Sequence, residues 1–386
     1  MNKTMKIIVF ITNNYKPYSG GVVSSIDSAR AALIKQGFIV YIITLDFLSK
    51  YTETDHNIIR LYCPFKGIYK TKHIAIPWGT YVQMYTHINA IKPDIIHAHH
   101  PFLLGATGQQ ISRELHIPIV FTYHTMYEHY LHYMPFLQGV VKPLMQYHIR
   151  KFCNSIDGII VPTISVNKYL QAQGIITPMQ VIPSSILPLF IHPQPYKKDF
   201  KAPRFHLISV SRFVKEKNIF FLINVFAQLD KNKFQLTLLG YGSELNVLRN
   251  YTYNILRLKE CDITFIEHPS KTLLAEYYAK AHLFIFASHS ETQGLVLAEA
   301  MAAGTPVIAL KAIGAQDIIK NGVNGFLVEN MYDMQEAIEN CAHHEAMYMS
   351  LVQNAWHTAQ SYHPEKIGYY LINFYRNIIE NCGKAT

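Results

Sequence analysis

Twice along this chain, short apolar runs rich in Ile, Val and Phe alternate with amphipathic segments, and a proline-rich stretch separates the two series. In the first series M-K-I-I-V-F-I-T (5–12), F-I-V-Y-I-I-T-L (38–45), P-D-I-I-H-A-H (93–99), I-P-I-V-F-T-Y-H (117–124), D-G-I-I-V-P-T (157–163) and M-Q-V-I-P-S (179–184) read as strands. V-V-S-S-I-D-S-A-R-A-A-L-I-K-Q-G (22–37) fits a helix stopped by Gly37. Continuous apolar strands with helices between them predict a parallel sheet covered on both faces. The rhythm restarts with strands over 205–211, 234–240, 263–267, 283–288, 305–310 and 325–328, and the chain ends in a helix from Pro364 to about Asn381. Between the series, L-P-L-F-I-H-P-Q-P-Y-K-K-D-F-K-A-P-R (187–204) reads as a linker. The expected plan is a domain over 1–187, a linker over 188–204, a second domain over 205–360 and a C-terminal helical segment over 361–386. Tandem doubly wound domains leave a deep cleft between them, and ligands of such sheets sit beyond the carboxyl ends of the strands.

Composition narrows the class. The 386 residues suit two domains, 49% are apolar, and no apolar run nears the roughly 20 residues that a membrane span needs. The run I-I-V-F-I-T at 7–12 lacks a small-residue cleavage site and reads as a first strand, so a cytoplasmic address is expected. The five cysteines contain no C-x-x-C pair, and no H-E-x-x-H occurs among the 20 histidines. His97, His99 and His100 in I-I-H-A-H-H-P read as a strand end, and no metal ligands are expected. Charge is lopsided. Residues 1–190 hold 16 Lys and Arg against 8 Asp and Glu, whereas residues 191–386 hold 19 against 18. A basic first half suits a polyanion. Without a nucleic-acid module signature, an anionic membrane surface is the expected partner and nucleic acid is not.

Four stretches offer chemistry, each with a plainer reading beside it. S-R-F-V-K-E-K-N (211–218) follows the first strand of the second series. Arg212 and Lys217 there suit a diphosphate, or else mark a solvated helix start. In S-E-T-Q-G-L-V-L-A-E-A-M-A-A-G (290–304), a helix starts near Gly294, Leu295 and Val296 and offers amides to an anion. Glu299 lies just over one turn in, placed to accept sugar hydroxyls, and Glu291 precedes the helix. The plainer reading makes Glu291 a dipole-complementing acid and Glu299 a surface residue. Gly20 and Gly21, after the first strand, let backbone approach a phosphate. Gly240 and Gly242 in L-G-Y-G-S-E lack the third glycine of a dinucleotide fingerprint but suit a nucleotide-facing turn. Last, F-T-Y-H-T-M-Y-E-H-Y-L-H-Y-M-P (121–135) sets His124 at a strand end before Tyr127, Tyr130 and Tyr133. His124 is a cleft residue or a core histidine, and the tyrosines could line an amphipathic acceptor's site. The following segment carries Lys142, Arg150 and Lys151 beside apolar residues, fitting an interfacial helix or one packed on the sheet.

G-G-V at 20–22, His124, S-R-F-V-K-E-K, and Glu291 and Glu299 eight apart before A-M-A-A-G-T-P-V-I resemble, in this order, the retaining glycosyltransferases of family 4. The tyrosine-rich stretch and S-E-T-Q-G-L-V look most like bacterial diacylglycerol glucosyltransferases. The resemblance implies the GT-B fold: two Rossmann-like βαβ domains, the first binding acceptor and the second the nucleotide sugar, with the last helix crossing back to the first. It implies UDP-glucose as donor, a lipid such as diacylglycerol as acceptor, no required cofactor, and work at the inner face of the membrane. Arg212 and Lys217 would clasp the diphosphate. Glu299 would hold the ribose. Glu291 with the amides of 294–296 would position the sugar, His124 would contact it, and Gly20 or Gly21 would lend an amide to phosphate. Ser211, Ser184-Ser185 and Glu267 depart from the family pattern. Phosphatidylinositol, a lipopolysaccharide core or a soluble glycan are the rival acceptors. From other classes, a nucleotide-sugar-binding protein without turnover and a nicotinamide oxidoreductase are the rivals, the latter disfavoured by the missing glycines.

Overall fold

The computed structural model describes residues 5–18, 20–47, 53–69, 72–127, 138–289 and 291–384. Two compact units emerge: residues up to Ser185 together with those from Pro364 onward, and Ile186–His363.

The first unit carries β1 (Ile7–Ile11), β2 (Ile39–Leu45), β3 (Ile58–Leu61), β4 (Phe65–Tyr69), β5 (Lys72–Ile76), β6 (Ile95–Ala98), β7 (Ile119–Thr122), β8 (Gly158–Val161) and β9 (Met179–Val181). Seven of these form one sheet in the order β3-β2-β1-β6-β7-β8-β9, and every pairing in it is parallel. β4 and β5 form a separate antiparallel hairpin. The sequence reading missed β3 and this hairpin. β3 is only four residues long, and a partly buried Arg60 interrupts its apolar run. The central strands are apolar along their whole length because helices cover both faces. The helix Gly21–Lys35 covers one of them, and Gly37, at φ 87°, stops it as expected. The last helix, Pro364–Lys384, packs with Gly21–Lys35 and buries Ile367, Leu371, Phe374, Tyr375 and Ile378 in the first unit's core.

The second unit carries β10 (Phe205–Arg212), β11 (Phe234–Tyr241), β12 (Ile263–Glu267), β13 (Leu283–Phe286), β14 (Val307–Leu310) and β15 (Gly325–Val328). They run parallel in the order β12-β11-β10-β13-β14-β15. Each sheet therefore reverses its order beside its first strand, at β1/β6 and at β10/β13. Loops leaving the two strands at such a point diverge and open a crevice at the carboxyl edge.

The stretch read as a linker over 188–204 is no linker. It begins with a 3-10 turn at Pro188–Phe190, and Phe190, 1% exposed, enters the second unit's core. Lys198 is buried and bonded to residues 80 or more positions away. Prolines and lysines mimic linker composition, but here the prolines shape a wrapped segment and the lysine is consumed internally. The unit boundaries fall at 185/186 and 363/364, short of the expected 187 and past the expected 360.

Candidate functional site

In the second unit, the loops after β10 and β13 hold the charged residues together. Arg212 ends β10, and Lys217 closes a 3-10 turn at Lys215–Lys217. Lys217 Nζ pairs with Glu291 Oε1 and donates to Ser288 Oγ at 3.3 Å. That ion pair is largely shielded, its side chains 11% and 20% exposed. Ser288 Oγ in turn reaches the Glu216 carbonyl at 3.5 Å, and Arg212 donates to Glu216 Oε1 at 3.4 Å. The Arg212 side chain stays 40% exposed at the strand end. An arginine in reach of solvent beside a sheltered lysine gives one planar fork and one point charge to an arriving anion.

The helix Leu295–Ala302 starts in the same place. Gly294 caps it in the left-handed region (φ 74°), and Leu297 N donates to Gly294 O at 2.9 Å. The amides of Leu295 and Val296 lie in the first turn, where no helical acceptor exists. Gly314, in the loop after β14, lies against this segment: a Cβ there would stand 2.9 Å from the Glu291 carbonyl and 3.1 Å from the Gln293 amide.

Glu299 is 3% exposed, which excludes the surface-residue reading. Its Oε2 accepts the Tyr278 hydroxyl at 3.0 Å. Burial raises its pKa, while Lys271 and the Tyr278 hydrogen bond pull it back. Gly240 and Gly242 have a packing role that sequence spacing cannot show. A Cβ on Gly240 would stand 1.8 Å from the Ser211 carbonyl, and one on Gly242 2.2 Å from the Phe213 carbonyl. Glycine there lets the ends of β10 and β11 touch. Of the family departures, Ser211 sits opposite Gly240 in that register, and Glu267 pairs with Arg249 at the surface.

In the first unit, Gly20 caps the helix Gly21–Lys35, and a Cβ added at either Gly20 or Gly21 would meet no atom within 4 Å among the described residues. His99 Nδ1 and His124 Nε2 lie 2.9 Å apart, and their rings stack at 5.2 Å. Burial, and then the neighbouring His100 and His97, hold His124 well below the ordinary histidine pKa. His97 is enclosed between the Tyr375 hydroxyl at 2.7 Å and the Thr122 hydroxyl at 2.6 Å, and burial lowers its pKa to about 3. Tyr127 packs edge-on against Phe102 and Tyr123. Tyr130 and Tyr133 lie outside the described residues. Ser184 and Ser185 tie their turn to the first helix, through Ser25 Oγ at 2.8 Å and Ser28 Oγ at 3.2 Å.

Thus Arg212, Lys217, Glu291, Gly294, Leu295 and Val296 come together around the β10/β13 reversal. Sequence reasoning missed Ser288 and Tyr278. Ser288 lies just after β13, a position that could have flagged it; Tyr278 lies 21 residues before Glu299 on another helix, with no local signal.

Comparison with known proteins gives the family and the fold. The family profile described as Glycosyl transferases group 1 matches residues 193–357, and that of Glycosyltransferase Family 4 matches residues 19–186. The alpha-monoglucosyldiacylglycerol synthase of Streptococcus pneumoniae is 33% identical over 346 residues, covering 86% of this chain and 77% of the relative. The enzyme of the same description from Acholeplasma laidlawii is 26% identical over 404 residues, 98% of this chain and 99% of the relative. Among solved structures, Anabaena HepE in complex with UDP-glucose superposes with a TM-score of 0.74 at 18% identity, covering 96% of this chain and 99% of that one, and so shares the GT-B fold. The chain belongs to family 4 of the glycosyltransferases and is a hexosyl-transferring enzyme.

Proposed function

We propose that the protein transfers glucose from UDP-glucose to a lipid acceptor such as diacylglycerol, keeping the anomeric configuration, at an anionic membrane surface. The observation that carries the donor half is the cluster at the β10/β13 reversal, where Lys217 is shared by Glu291 and Ser288 beside an open helix start. Breaking the sugar–phosphate bond develops negative charge on the departing diphosphate. Arg212, Lys217 and the amides of Leu295 and Val296 are donors fixed in advance for that charge, and such preorganised groups favour the transition state over the ground state. With two cations present the step needs no divalent metal. Glu291, already on Lys217, is placed to orient the sugar hydroxyls, and Glu299 to hold the ribose. In the first unit, the neutral imidazole of His124 suits a hydrogen bond to a sugar hydroxyl, and Gly20 and Gly21 leave amides that a phosphate can approach.

The acceptor half rests on the relatives' descriptions and on one helix. On Gln138–Cys153 the outer residues include Lys142, Leu144, Tyr147, Arg150 and Lys151, with Leu144 54% and Tyr147 50% exposed. Apolar side chains among basic ones suit the headgroup region of an anionic bilayer. No described helix is long and apolar enough to cross a membrane.

Two measurements test these halves. Lys217→Ala or Arg212→Ala should each lower the transfer rate roughly a hundredfold, about 3 kcal/mol, as loss of one preorganised donor does; chelator should leave the wild-type rate unchanged. Variants that keep most of the activity remove these cations from the reaction. For the membrane, co-sedimentation with vesicles should rise with their anionic fraction and fall with salt. Binding indifferent to both rejects electrostatic docking.

A further inference from the structure

The buried carboxylate of Glu299 is held from behind by a chain of contacts that the departure of the diphosphate does not use. Tyr278, 0% exposed on the helix Lys271–Lys280, donates its hydroxyl to Glu299 Oε2 at 3.0 Å. Its ring is fixed edge-on to Phe190, centroids 5.6 Å apart, and beside Phe284 at 6.0 Å. Its backbone carbonyl is gripped twice, by Thr305 Oγ1 at 2.6 Å and by Lys198 Nζ at 3.1 Å. The same ammonium donates to the Ala279 carbonyl at 2.9 Å and meets Thr305 Oγ1 at 2.8 Å. Burial lowers the Lys198 pKa to about 7, and in its protonated form the amine has three protons for these three acceptors.

This wiring has a direction. A free buried carboxylate could rotate among several acceptor geometries and would favour its protonated form. A phenol locked at ring and backbone restricts the first and, after Lys271, partly offsets the second, burial still leaving the Glu299 pKa raised. It uses one of about four lone-pair sites and leaves the others in a fixed plane, the arrangement that a vicinal diol can meet with two hydroxyl donors. We infer that Tyr278 is a positioning residue of the donor site, aiming Glu299 at the ribose hydroxyls, and that Lys198 and Thr305 hold Tyr278 in place. The inference rests on reading Glu299 as the ribose carboxylate.

Isothermal titration of the full chain with UDP and with 2′,3′-dideoxy-UDP reads this without an acceptor. Wild type should prefer UDP by roughly tenfold or more, the effect of hydrogen bonds to a charged acceptor. Tyr278→Phe should bring that ratio close to one by weakening UDP alone, while the dideoxy ligand binds as before. A variant that weakens both ligands equally, or that keeps the preference, overturns the inference and leaves the donor reading standing. A wild type that ignores the ribose, or UDP altogether, removes the donor reading itself. Should Tyr278→Phe fail to fold, Thr305→Val carries the test: it removes one of the two grips on the Tyr278 carbonyl, leaving that of Lys198, while phenol and carboxylate remain. A partial loss of the ribose preference is then expected, and full retention overturns the proposed support.

Discussion

Beyond β10 and β13 the second unit gathers Arg212, Lys217, Glu291 and an open helix start; beyond β1, β6 and β7 the first unit gathers two open glycines and a set of sequestered imidazoles. The strand order behind them is the same: a first strand flanked by its successors on one side and by later strands on the other. One scaffold therefore presents opposite chemistry at the same topological place. In the second unit, formal charges pair with one another. In the first, Phe10 meets both His97 and His99 edge-on, at 5.1 and 4.9 Å between ring centroids, and burial keeps the imidazoles neutral. A charged cluster suits a charged leaving group. A neutral, desolvated cluster suits an uncharged partner such as a sugar hydroxyl or a glyceride.

Glycines sharpen the contrast most strongly. Gly240→Ala drives a methyl group into the Ser211 carbonyl, which cannot swing aside as a flexible side chain would. We expect a loss of about 3 kcal/mol or more of stability, the upper range for overpacking, seen as a lowered urea midpoint. Gly20→Ala adds its methyl where no described residue lies within 4 Å and should leave stability within about 0.5 kcal/mol of wild type. If both variants unfold alike, the two glycine pairs are equivalent and the contrast fails.

Those glycines also show where sequence reading stops. Both pairs are turn glycines after a strand, and sequence assigns one to a phosphate and the other to a nucleotide-facing turn. Only coordinates reveal that one pair meets backbone and that the other meets nothing within 4 Å among the described residues. Apolar runs located twelve of the strands, most strongly the central ones that are buried on both faces. β3, with Arg60 inside it, and the lysine-bearing hairpin of β4 and β5 lack that pattern. Arg212, Lys217 and Glu291 stand out in the sequence because they lie at a strand end or on the loop that follows, where ligands of such sheets sit. Lys198 was not, since its three acceptors come from residues 80 to 107 positions away. Tyr278 was not, because a tyrosine in a packed helix reads as core until its hydroxyl finds a carboxylate.

Acid provides the finer test of the comparison. Burial lowers the pKa of His97 to about 3 and of His100 to about 4, and lowers His99 and His124 well below the ordinary value. An unfolded histidine titrates near 6.5, so below that pH the unfolded chain takes protons that the folded one refuses. Stability is then present above pH 6.5 and is lost as the pH falls, by about 1.4 kcal/mol per such group at pH 5.5. The second unit has His206, lowered to about 4, and His282, with His192 nearer the surface. Four lowered histidines against three, with His192 the least buried, should therefore cost the first unit more stability than the second between pH 7.5 and 5.5. Hydrogen exchange, corrected for intrinsic rates, separates the two: protection of the amides of β6 and β7 should drop well before that of β10 and β11. Equal losses would mean that the first unit's histidines accept protons in place. The neutral character assigned to that face, and the case for an uncharged partner there, would then fall.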